Sequence, residues 1–433
     1  MSVLQIGLAG CLLLLVLLLS SMPVAIAMML AGTVGFAAAV SPAAAMSMLT
    51  AEVYDTFTSY SLTVIPLFVL MGQVAFHTGI SRRLFHTAYQ WMGHWPGGMA
   101  ISTVGACTAF GAICGSGPAT AATMASVVLP EMKRYGYDMK LAAGTVAAGG
   151  TLGMMIPPSV VFIVYAILTE QSIGQLFIAG IGPGILMAVL FCLTILMLCR
   201  KHPQLGPAGP RMPLKEKLRS LAGVSETLIL FFAVIGGMFA GLFTPTEAAA
   251  IGAAGAIVIA LFRKKLTLTM LSRSLQETVR TSCMVMFIVT GAVIFGRFLA
   301  ITRIPYELAS FLASLPLPAW VIMGFIILFY LAAGCFVDAL GLVMLTIPIF
   351  YPVVLDLGFD PIWFGVIIVA VTQMGVITPP VGVNVYVVGG IERDIPLQMI
   401  FEGALPFLWA LIVSVILLIL FPQIALFLPH LIH

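Results

Sequence analysis

Two short stretches of this 433-residue chain carry residue types whose spacing can do chemistry. One is Gly375-Val376-Ile377-Thr378-Pro379-Pro380-Val381-Gly382-Val383-Asn384; the other is Gly153-Met154-Met155-Ile156-Pro157-Pro158-Ser159. Consecutive prolines remove two backbone donors and their rings clash with the preceding turn, so a continuous helix cannot pass. Carbonyls freed at such a break are hard oxygen ligands, suited to a weakly held cation such as sodium. A helix restarting after the break presents unpaired N–H groups and partial positive charge, suited to an anion. An unpaired carbonyl in hydrocarbon costs several kcal/mol, so these breaks belong where they line a polar cavity or an ion site.

Two more stretches have the same character. Gly115-Ser116-Gly117-Pro118 and Gly334-Cys335-Phe336-Val337-Asp338 each sit at the centre of a long apolar segment. A helix, a Gly/Pro or Gly/Asp tip and a second helix suggest a re-entrant hairpin. Half-helices are expected just after Pro118, Ser159, Asp338 and Val381, so four positive ends would converge without any lysine or arginine beside the tips. Ser116, Thr120, Thr123, Ser159, Thr378 and Asn384 supply hydroxyls and an amide, and all but Thr123 are taken as substrate contacts. Arg297 most simply snorkels outward, with contact to an anionic substrate as the alternative. One sodium site would pair Gly115, Ser116 and Gly117 with Gly153 and Pro157. Its mirror would pair Gly334 and Asp338 with Gly375, Thr378 and Gly382. Asp338 can also simply cap the following half-helix, and Thr244-Pro245-Thr246-Glu247 is a capping box with proline at the first helical position.

The breaks repeat at an offset of 222 residues, which also relates Gly136 to Gly358, Asp138 to Asp360 and Pro23 to Pro245. The chain is expected to hold two related halves, 1–200 and 223–433, joined by a polar linker at 201–222. Hairpins fall at about 95–132 and 317–353, and broken helices at about 139–168 and 362–391. The remaining spans are Val3–Leu19, Pro23–Val40, Val64–Phe76 and Ile178–Cys199, then Ser225–Leu242, Pro245–Phe262, Thr281–Ala300 and Met399–Phe421. Ser81–Met92 and Leu266–Arg280 read as interfacial helices. Five crossings per half would invert one half relative to the other. Seventeen basic residues then face the cytoplasm and two, Arg297 and Arg303, the outside, which also puts both termini outside. The fold class is therefore an all-α polytopic membrane protein of two inverted-topology repeats, each with about five transmembrane helices and one re-entrant hairpin.

Composition closes off other classes. The chain is 61% hydrophobic and 8% charged, far from a soluble domain at roughly 25% charged. Its seven cysteines show no C-x-x-C pair and read as small core residues, and no clustered histidines suit zinc. Gly115-Ser116-Gly117 resembles a nucleophile elbow, but Cys114 stands where glycine is required and no histidine lies beside it. No P-loop is present, so an ATP hydrolase of that type is excluded, and nothing indicates nucleic acid.

At these residues the chain resembles the large membrane subunit of the tripartite ATP-independent periplasmic (TRAP) transporters. The resemblance rests on Gly115 to Thr120, Gly153 to Pro158, Gly241 to Ala250, Phe336-Val337-Asp338 and Thr378 to Asn384, and spans essentially the whole chain. It implies a sodium-driven importer of organic acid anions in a bacterial inner membrane, working as an elevator, with no cofactor beyond sodium as coupling ion. C4-dicarboxylates, sialic acids and other sugar or keto acids all suit such a site. It also implies two partners, a small four-helix membrane subunit and a soluble periplasmic binding protein. The acidic positions Glu52, Asp55, Glu307, Asp356 and Asp360 are expected on the face that meets the latter. A stand-alone sodium-coupled dicarboxylate or citrate carrier is the nearest alternative, an intramembrane hydrolase a more distant one.

Overall fold

The computed structural model describes residues 2–20, 22–314 and 316–432, and no strand occurs among them. Six helices are long and apolar enough to cross a membrane, or up to eight if two bent pairs each count as one span. The chain is a multi-pass, all-helical membrane protein.

The proline pairs interrupt their helices as the missing donors require. Met139–Met155 stops before Ile156 and resumes as Val160–Thr169, while Pro361–Gly375 stops before Val376 and resumes as Val383–Ile391. Both Pro–Pro bonds are cis. The hairpins are present too, as Gly98–Cys114 with Gly117–Arg134 and as Ala319–Gly334 with Ala339–Asp356.

Several elements differ from the sequence expectation. Leu266–Arg280 is not a separate interfacial helix: Leu268–Thr302 runs unbroken for 35 residues. No proline falls within it, so nothing stops the ladder. The region 222 residues earlier does break. Pro42–Thr58, an unanticipated helix, meets Ser61–His77 at 55°, where Ser59 is extended and Pro66 suits the first turn of a new helix. The linker is not wholly loop, because Leu214–Leu221 is helical. The span expected at Ser225–Leu242 ends at Phe239 and carries a π-helical turn, Phe232–Gly236. A further helix, Gln423–Ile432, follows the last span.

Packing sorts the helices into two groups. Val24–Ala39, Val64–His77, Pro245–Phe262 and Leu268–Thr302 pack mainly on one another. The hairpins and broken helices form the second group with Ile173–Lys201 and Leu397–Leu420. Two ion pairs tie the second group across the sequence, Lys133 Nζ to Asp394 at 3.2 Å and Lys140 Nζ to Glu402 at 2.6 Å. Met139–Thr169 is almost entirely buried, so it forms the centre of that group and not its lipid face.

Candidate functional site

Each hairpin tip is seated in a helix break. At the first, Gly115 takes the left-handed conformation that ends Gly98–Cys114, and its carbonyl accepts from Val160 N–H at 3.3 Å. At the second, the Cys335 carbonyl accepts from Val381 N–H at 3.1 Å. Glycines permit this approach: a Cβ at Gly153 would lie 2.6 Å from Thr120 Oγ1 and 2.9 Å from the Ser116 carbonyl oxygen. A Cβ at Gly375 would lie 2.7 Å from Gly334 Cα. The expected pairing of tip with break is the observed one.

Between the two helix groups lies a cavity of about 170 Å³. Ser116 to Ala119, Val160 and Val161, Asp338 to Leu340, and Val383 line it, so the starts of all four half-helices meet there. Each start carries roughly half a positive charge in unpaired N–H groups. Asp338 is the one carboxylate on the wall; its Oδ2 caps Leu340 and Gly341 N–H at 3.2 and 3.1 Å, which leaves Oδ1 outside the cap. Ser116 begins Gly117–Arg134 without a side-chain cap bond, so its hydroxyl is not consumed locally. The walls hold no lysine, arginine or histidine.

The other expected residues occupy distinct places. Ser159 is buried and caps its own half-helix, accepting from Phe162 N–H and donating to the Met154 carbonyl. Thr378 donates to the Met374 carbonyl at 2.6 Å, and Thr123 to the Ala119 carbonyl at 2.7 Å. Thr120 Oγ1 is buried beside the Cys114 thiol without a well-formed hydrogen bond. Asn384 is buried and donates to the Ala147 carbonyl at 3.0 Å, with Oδ1 unpartnered. Arg297 does not line the cavity; it pairs with Glu52 at 2.7 Å. Glu247 forms the expected capping box with Thr244. Asp360 caps Trp363 N–H, so it and Glu52 both have partners within the chain.

Gln73 and Thr281 also line the cavity, each from a helix of the first group, and sequence reasoning passed over both. Gln73 had a signal, since it is the one amide in Val64–His77. Gln373, two residues before the Gly375 contact, is fully buried with neither amide atom partnered. Such an orphan demands an explanation in a ligand, an ion or water. The two tip contacts differ in cover. Ile156 to Ser159 are all buried, whereas Pro379, Pro380, Val381 and Phe336 are exposed.

The family described as "Tripartite ATP-independent periplasmic transporter, DctM component" matches residues 11–424. The chain belongs to this family. It is 38% identical over 383 residues to the C4-dicarboxylate TRAP transporter large permease protein DctM of Pseudomonas aeruginosa, covering 88% of this chain and 89% of that one. It is 33% identical to the sialic acid TRAP transporter large permease protein SiaM of Vibrio cholerae, covering 86% and 87%. It is 35% identical to the isethionate TRAP transporter permease protein DctMQ of Oleidesulfovibrio alaskensis, covering 84% of this chain and 57% of that one. The YdaH transporter of Alcanivorax borkumensis shares the fold at a TM-score of 0.62, over 90% of this chain and 89% of that one, with 14% identity. A DctM-family chain is a transporter permease, not an enzyme, which disposes of the serine-nucleophile reading of Ser116.

Proposed function

We propose that this chain is the large permease of a sodium-coupled importer of organic acid anions, set in a bacterial inner membrane with both termini outside. A periplasmic binding protein delivers the anion, and a small four-helix membrane subunit completes the assembly. The observation that carries this reading is the meeting of four half-helix starts on one cavity without a cationic side chain. Such a site attracts a carboxylate yet releases it, because partial charges bind more weakly than a buried arginine. The carbonyl-rich tip contacts behind the cavity supply hard oxygen ligands for sodium. In this reading Gly115, Ser116, Gly117, Gly153 and Pro157 serve one ion, and Gly334, Asp338, Gly375, Thr378 and Gly382 the other.

The two helix groups support an elevator, since the cavity lies on their seam with Gln73 and Thr281 on one side and the tips on the other. Motion of the hairpin group as a body would carry the anion with it. The deciding measurement is uptake in proteoliposomes containing the permease, the small subunit and the binding protein. Uptake should need an inward sodium gradient and show a Hill coefficient above one for sodium. Undiminished uptake in sodium-free potassium buffer would refute coupling.

A further inference from the structure

Two cavities away from the central site take neighbouring residues from the same segments, though no residue lines both. One is a groove of about 850 Å³ between Gly98–Cys114, Ile173–Lys201 and the Ser225–Phe239 segment, walled almost wholly by apolar side chains such as Val104, Ala188 and Phe231. The other, about 830 Å³, lies where Ile80–Met92 meets the linker helix Leu214–Leu221, and is lined by Arg82, Arg83 and Arg219 together with Glu131 and Glu216. Leu84 faces the groove while its neighbours Arg83 and Phe85 face the charged cavity. Likewise Thr227 and Leu228 line the groove, and Ser220 and Gly223 the charged side. Each volume falls within the ~300–1,000 Å³ typical of ligand cavities.

Arg83 decides what such a two-part site would hold. Its Nε and Nη2 are shielded from solvent and have no hydrogen-bond partner. The charge of Arg263 acts against it, and Glu226, the carboxylate that favours its charged form, is engaged by Arg263 Nε at 2.9 Å. Two shielded N–H groups of a half-buried guanidinium without partners are costly, and its planar fork matches a phosphate. A long apolar groove framed by the same segments as a cavity that holds an unpaired cation is complementary to one molecule carrying both characters. We propose that the paired cavities hold one anionic phospholipid, acyl chains in the groove and phosphodiester on Arg83, with Arg82 and Arg219 adding charge at the mouth. Neither the central anion site nor sodium coupling enters this assignment.

The test is native mass spectrometry of the full chain, delipidated in mild detergent and titrated with phosphatidylglycerol, phosphatidylethanolamine or inorganic phosphate. One phosphatidylglycerol per chain should be retained about tenfold more tightly than phosphatidylethanolamine, whose ammonium cancels the net negative charge that Arg82, Arg83 and Arg219 attract. Arg83→Gln should erase that preference and Arg83→Lys should keep most of it. Ala188→Trp, which fills the groove, should weaken both lipids together. Equal retention of the two lipids by the unmodified chain would overturn the proposal, as would an unchanged preference in Arg83→Gln. Inorganic phosphate binding as tightly as phosphatidylglycerol would mark a free-anion site instead. Cross-linking of Cys192 in the groove to the small membrane subunit would make the groove a protein interface.

Discussion

The side-chain amide of Asn384 donates to the carbonyl of Ala147 at 3.0 Å, across 237 residues of sequence. Ala147 lies midway along Met139–Met155 and Asn384 opens the second half of the other broken helix, so one buried bond ties the two broken helices together. A carbonyl can only accept, which fixes the amide's orientation and leaves Oδ1 as the free atom. That free atom is an acceptor, so in the proposed reading a cation or a hydroxyl suits it and a carboxylate does not.

Asn384→Ala should lower stability by about 1–3 kcal/mol, because the Ala147 carbonyl loses its buried partner. It should also raise the sodium concentration needed for half-maximal uptake. Thermal unfolding and sodium titration on the same preparation separate the two effects. A destabilised variant with unaltered sodium dependence would confine Asn384 to joining the two broken helices. Asn384→Asp is a poorer probe, since it removes the donor to Ala147 whatever the ligand.

Gly375→Ala and Gly334→Ala form a directional pair. The first places a Cβ 2.7 Å from Gly334 Cα, whereas the second places one 3.4 Å from Gly375 Cα, an ordinary contact. Overpacking costs about 1–3 kcal/mol, which corresponds to roughly 5- to 150-fold in an equilibrium. Uptake should fall by that order in Gly375→Ala and stay near normal in Gly334→Ala. Equal activity of the two variants would mean that the tip need not sit in the break.

Gln373→Leu should make the protein more stable and less active. Removing two unpaired amide atoms from a fully buried position relieves a desolvation cost of about 1–3 kcal/mol each. Melting temperature and initial uptake rate should move in opposite directions. Higher stability with unchanged uptake would show that the amide has no part in transport.

Glu52→Ala should change stability by no more than about 1 kcal/mol, since it leaves an exposed guanidinium, whereas Arg297→Ala strands the largely shielded Glu52 carboxylate and should cost about 1–3 kcal/mol. Neither should alter KM for the anion, because Arg297 does not line the cavity. A raised KM in Arg297→Ala with stability intact would return the guanidinium to the substrate path.

What could be read from the chain by itself was whatever a few adjacent residues decide. The proline pairs at 157–158 and 379–380 had to interrupt their helices, since a missing N–H is a local fact. Thr244 to Glu247 and Asp338 announced their caps for the same reason, and the 222-residue offset related one proline break to the other. Tertiary structure decided which distant groups meet. No local signal joins Asn384 to Ala147 or Arg297 to Glu52, brings Gln73 and Thr281 to the hairpin tips, or buries one break while exposing its twin. Those outcomes depend on how whole helices pack, and packing is set by the summed surfaces of segments hundreds of residues apart.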